Sequence, residues 1–98
     1  GTVVITLDVA SVYSSPKDRR NLAGGLFEIL MDGEVIASHD IGPIPNNTTQ
    51  RSTIEGVTNI ESGMHELRIR ILRPFKSLPH DHAPRQYLDN IRLEYKPI

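Results

Sequence analysis

Gly63-Met64-His65-Glu66-Leu67-Arg68-Ile69-Arg70-Ile71 and Tyr87-Leu88-Asp89-Asn90-Ile91-Arg92-Leu93-Glu94-Tyr95 both alternate apolar with polar or charged residues. Successive side chains of a strand point to opposite faces, so this period of two predicts strands with one buried face each. In the first segment His65, Leu67, Ile69 and Ile71 share a face. In the second, Tyr87, Asp89, Ile91, Leu93 and Tyr95 lie opposite Leu88, Asn90, Arg92 and Glu94. Two one-sided strands near the end of a short chain predict an all-β fold, an antiparallel β-sandwich.

The rest of the chain fits that class. Thr2 to Ser11 alternates with Val3, Ile5, Leu7 and Val9 on one face, a first strand. Leu26 to Met31 and Glu34 to Ser38 flank Asp32-Gly33, which predicts a type I′ hairpin pairing Met31 with Glu34, Leu30 with Val35 and Ile29 with Ile36. Gln50 to Val57 is a weaker strand. Ser14 to Asn21, Gly42 to Asn47, and Arg73 to Arg85 with Pro74, Pro79 and Pro84 are polar or breaker-rich and read as loops; long loops in compact domains are often functional. The expected core is Ile5, Leu7, Ile29, Leu67, Ile69, Ile71, Ile91 and Leu93.

Composition narrows the function. The chain has 98 residues, the size of a single domain spanning 1–98, and reads as one excised from a larger protein. With 11 Lys plus Arg against 12 Asp plus Glu, the formal charge is −1. That balance gives no field to gather nucleic acid or an anionic membrane surface. There is no cysteine, hence no disulfide or thiolate-bound metal. No apolar run approaches the ~20 residues that span a bilayer. No GxSxG, HExxH, P-loop or facing carboxylate pair is present, so enzyme activity is not expected.

The segments Asp32-Gly33-Glu34-Val35-Ile36, Gly63-Met64-His65-Glu66-Leu67-Arg68-Ile69-Arg70 and Tyr87-Leu88-Asp89-Asn90-Ile91-Arg92-Leu93, in that order, resemble the galactose-binding-like jelly-roll superfamily over roughly residues 26 to 95. Many non-catalytic carbohydrate-binding modules belong to it. The resemblance implies a jelly roll, a secreted or cell-surface bacterial parent protein whose other domains are its partners, and carbohydrate as ligand. It also implies a structural calcium ion with Asp89 as a ligand. A structural or protein-interaction domain without a small ligand is the alternative, favoured by the absence of Trp and the balanced charge.

Candidate site residues carry a second, plainer reading each. Arg85, Gln86 and Tyr87 close the long loop and can form one wall of a sugar site, with Tyr13 and Arg20 opposite: a Tyr face stacks on a sugar ring, and a guanidinium forks onto a hydroxyl pair or uronate. The same residues can be a solvated charge run with Lys17, Asp18 and Arg19. Asp89 is a calcium ligand by resemblance, or a carboxylate accepting backbone N–H groups. His65 reads as a hydrogen-bonded core histidine. His80-Asp81-His82 can clasp a metal, with His39 or His65 as further ligand in a small metal-dependent enzyme, or lie in a solvated loop. Asn46-Asn47-Thr48-Thr49 holds overlapping glycosylation sequons, relevant in a secreted eukaryotic protein.

Overall fold

The computed structural model describes residues 1–14, 22–45, 47–72 and 85–97. These contain eight strands and no helix: β1 (Thr2–Tyr13), β2 (Leu22–Ala23), β3 (Leu26–Met31), β4 (Glu34–Asp40), β5 (Pro43–Ile44), β6 (Thr48–Asn59), β7 (Leu67–Leu72) and β8 (Arg85–Lys96). Two antiparallel three-stranded sheets, β6-β1-β8 and β4-β3-β7, lie in a sandwich-like arrangement, with a small β2-β5 pair beside them. The loops expected at 15–21 and 73–84 lie outside the described residues. Pro43 and Ile44, expected in a loop, instead pair with Ala23 and Leu22, a ladder short enough to tolerate the missing proline donor.

β1 is the central strand of its sheet. Its odd residues Val3, Ile5, Leu7, Val9, Ser11 and Tyr13 are buried and its even residues only half-buried, as strict alternation requires. The core joins Val3, Ile5, Leu7 and Val9 to Phe27, Ile29 and Met31 of β3 and Ile54 of β6, with Leu67, Ile69 and Ile71 of β7 and Ile36 and Ala37 of β4 packed against it. Gly56 lets the sheets approach, since a Cβ there would sit 3.0 Å from Ile36 Cδ1. On the far face of β3, Glu28 is buried and takes Nε and Nη2 of Arg70 at 2.8 Å each, so its charge is paired.

The Asp32-Gly33 hairpin forms with φ of 52° and 85°, the left-handed pair of a type I′ turn. Met31 faces Glu34 and Leu30 faces Val35 as expected, but Ile29 faces Ala37. A bulge at this point shifts the ladder and turns Ile36 onto the core. β7 begins at Leu67 rather than Gly63, because Gly63 has φ of 129° and His65 is drawn into contacts with the hairpin and Glu61.

The closing strand departs most from its apparent periodicity. Thr6 of β1 faces Arg92, yet Asp8 faces Asp89: two steps along β1 match three along β8. Asn90, at φ 52°, sits in this β-bulge. Paired residues share a face, so Leu93 and Tyr95 stand with Ile5 and Val3 on the core side, and Ile91 with them by alternation. Asp89 and Tyr87 stand with Asp8 and Ala10 on the outer side. The expected single face from Tyr87 to Tyr95 is therefore two faces. Nor are Ile91 and Leu93 core residues: each is 54% exposed, because β8 is the sheet's edge and no described residue of it joins the core cluster.

Leu67, Ile69 and Ile71 are likewise half-buried rather than fully buried. Ile5→Ala should cost about 2–5 kcal/mol, the range for a deleted core side chain. Ile91→Ala should cost less than about 1.5 kcal/mol, since half its surface is already in water. Urea unfolding of the two variants checks the order, with Ile69→Ala between them.

Candidate functional site

The outer face of β6-β1-β8 is built from cross-strand rows. Register places Arg85, Val12 and Thr49 in one row, Tyr87, Ala10 and Arg51 in the next, and Asp89, Asp8 and Thr53 in a third. Neighbouring strands lie ~4.8 Å apart and successive same-face residues ~7 Å apart, so the rows form a continuous patch. An open groove of about 610 Å³ runs over it, lined by Asp8, Ala10, Val12, Arg51, Tyr87 and Asp89 among others. Ala10 creates the depression: its methyl lies between Tyr87 on one side and Arg51 on the other.

Asp8 is the polar centre of this face. Its Oδ1 accepts from Thr53 Oγ1 at 2.8 Å and its Oδ2 from Asn90 Nδ2 at 2.9 Å. The Asn90 amide and the Thr53 hydroxyl hold its carboxyl below the usual 3.8, against partial desolvation and with help from Arg92. The bulge thus has a side-chain anchor: Asn90 adopts a left-handed conformation that Asn tolerates while its amide reaches across to β1. Asp89, directly opposite Asp8, accepts the backbone N–H of Asn90 at 2.8 Å. Two carboxylates opposed across a ladder repel, and the donors from Thr53 and Asn90 offset that.

Calcium takes six to eight oxygens, and the long loop at 73–84 that would supply further ones beside Asp89 lies outside the described residues; among the described residues no group of three or more His, Asp or Glu could hold a metal. Asp89 matches the alternative reading, a carboxylate bonded to backbone N–H.

The other expected site residues separate. Tyr87 is half exposed and Arg85 exposed on the outer face, the two that the structure brings to the groove's side of the sheet. Tyr13 is fully buried and offers no face to a ligand; an odd position on β1 points it inward. Gln86 also points to the core side, opposite Ser11, and donates Nε2–H to Gly24 O at 2.9 Å, so it ties β8 to the Gly24-Gly25 segment rather than lining the groove. Arg20, Lys17, Asp18, Arg19 and His80-Asp81-His82 lie outside the described residues. Asp8, Arg51, Thr53 and Asn90 were not foreseen; the polar even positions of β1 and β6 are the signal that could have marked them.

Comparison of the chain with known protein families, curated proteins and solved structures finds no match to any of them.

His65, expected as a hydrogen-bonded core histidine, is hydrogen-bonded but exposed, ahead of β7 rather than in the core. Nδ1 lies 2.6 Å from Asp32 Oδ2 and Nε2 2.6 Å from Glu61 O, while Asp32 Oδ1 accepts the Glu66 N–H at 2.8 Å. Both ring partners are acceptors, so the ring needs both protons. The bond to Asp32, then that to Glu61, raises the His65 pKa above 6.5, and Asp32 is lowered below 3.8 chiefly by His65 and the Glu66 N–H. The His65 contribution to stability is present below 6.5 and lost as pH rises through its folded value. The Asp32 contribution is present above 3.8 and lost as pH falls through its folded value. Denaturant unfolding followed across pH should show wild type losing stability at both ends, with both limbs reduced in Asp32→Asn.

Proposed function

We propose that this chain is a jelly roll of the galactose-binding-like type and serves as a non-catalytic carbohydrate-binding module, holding a larger extracellular bacterial protein against glycan. The observation that carries this reading is the outer-face groove, in which a half-exposed Tyr87 stands beside Ala10 and is framed by Arg51, Asp8 and Asp89. A pyranose presents an apolar C–H face and a rim of hydroxyls. Tyr87 offers the π surface for the first, while the carboxylates and the guanidinium offer acceptors and donors for the second. The groove is open, suited to an extended chain. Such sites act by tethering, raising the parent protein's effective concentration at a polysaccharide without chemistry of their own.

A domain that binds protein instead of sugar is the second reading, and the exposed apolar run on the core side of β8 favours it.

Titration of labelled protein with neutral and acidic oligosaccharides, followed by amide chemical shifts, tests the first reading. Shifts should cluster at residues 8–12, 49–53 and 87–90, and Tyr87→Ala should weaken binding about tenfold or more, a loss of at least ~1.4 kcal/mol, with the fold intact. No shift with any glycan, or shifts confined to the other sheet, overturns it.

A further inference from the structure

β8 is an edge strand among the described residues, and its half beyond the bulge is apolar on one side. Ile91, Leu93 and Tyr95 are each 54% exposed. On the other side, Arg92 and Glu94 make no ion pair with a described residue. An unpaired edge of this kind is a template for another strand, and the sequence selects which strand fits.

We propose that Ile91-Arg92-Leu93-Glu94-Tyr95 pairs antiparallel with the same segment of a second copy of this chain, about a two-fold axis at Leu93. An isologous contact requires residues equidistant from the axis to suit each other. With the axis at Leu93, Leu93 meets Leu93 and Ile91 meets Tyr95 on the core side, while Arg92 meets Glu94 twice on the outer side. Every cross-strand pair is then apolar on apolar or opposite in charge, the combinations that stabilise a ladder.

Neighbouring registers fail on the same residues. An axis at Arg92 sets Arg92 against Arg92, and one at Glu94 sets Glu94 against Glu94 and Arg92 against Lys96. An axis between residues sets core-side against outer-side positions, which the pleat forbids. An axis at Ile91 runs into the bulge at Asn90, where the faces exchange. The product is a six-stranded sheet, β6-β1-β8 continued through the two-fold into its copy, with both β4-β3-β7 sheets on one side. The contact uses residues beyond the bulge and leaves Tyr87, Asp89 and the groove free, so it stands apart from the carbohydrate reading.

Analytical ultracentrifugation over a concentration series from roughly micromolar to millimolar, in low salt, tests it. Wild type should pass from monomer to dimer. Leu93→Asp should remain monomeric with an unchanged circular dichroism spectrum. Arg92→Glu should weaken the dimer about tenfold by opposing Glu to Glu at two places, and Arg92→Glu with Glu94→Arg should restore it, since the swap recreates both attractive pairs. These charges are exposed, so the swap is informative even if Leu93→Asp disturbs folding. A monomeric wild type throughout the series, a dimer indifferent to the Arg92→Glu change, or a double variant no tighter than the single one overturns the proposal.

Discussion

One extra residue in the ladder between β1 and β8 decides how the closing strand presents itself. β1 cannot yield: its odd side chains are buried between the sheets, and moving it by one residue would send them all to solvent. Any misfit between the two strands must therefore be absorbed by β8, and Asn90 absorbs it with a left-handed backbone and a side-chain amide bonded to Asp8. Before the bulge, Tyr87 and Asp89 look outward over the sheet; after it, Ile91, Leu93 and Tyr95 look toward the core side. The groove and the apolar edge are two products of the same local event.

The distribution of burial follows from the strand order. The buried set is concentrated on β1 and β3, the middle strands of the two sheets, while β7 and β8, each at a sheet edge, are progressively more exposed. Stability is therefore expected to be held near the middle, with the edges joined to it by discrete polar contacts: Arg70 on Glu28, His65 on Asp32, and Gln86 on Gly24. Each contact fixes an element that apolar packing alone holds loosely. The outer face of β6-β1-β8 carries no covering layer of described residues, which is what leaves Tyr87 and Arg51 available to a ligand.

The class of the fold was legible because period-two patterning is dictated by backbone geometry, and β1, the Asp32-Gly33 turn and the first two pairs of its hairpin formed as the residues imply. Register was legible only up to the bulges. Ile36 and Asn90 each add a residue to one side of a ladder, and nothing in the alternation of Tyr87 to Tyr95 signals that its face changes halfway, although an Asp-Asn pair within an apolar run is a place where a left-handed residue is tolerated. Of the expected site residues, Tyr87 and Arg85 stand on the groove's side of the sheet, while Tyr13 and Gln86 point to the core side. Tyr13, expected in the opposing wall, instead belongs to β1, which runs two residues further than its clean alternation and buries it. Asp8, Arg51 and Thr53 belong to three strands' worth of outer face whose alignment depends on pairing partners distant in sequence.

The arrangement rests on the register change at Asn90, and nuclear Overhauser contacts between β1 and β8 test it most directly. The register change requires cross-strand contacts of Ile5 with Leu93, Asp8 with Asp89 and Val9 with Leu88, together with a positive φ at Asn90. An unbroken ladder, with Leu7 opposite Ile91, Val9 opposite Asp89 and Ser11 opposite Tyr87, would return Tyr87 to the core side, remove the groove and contradict the account.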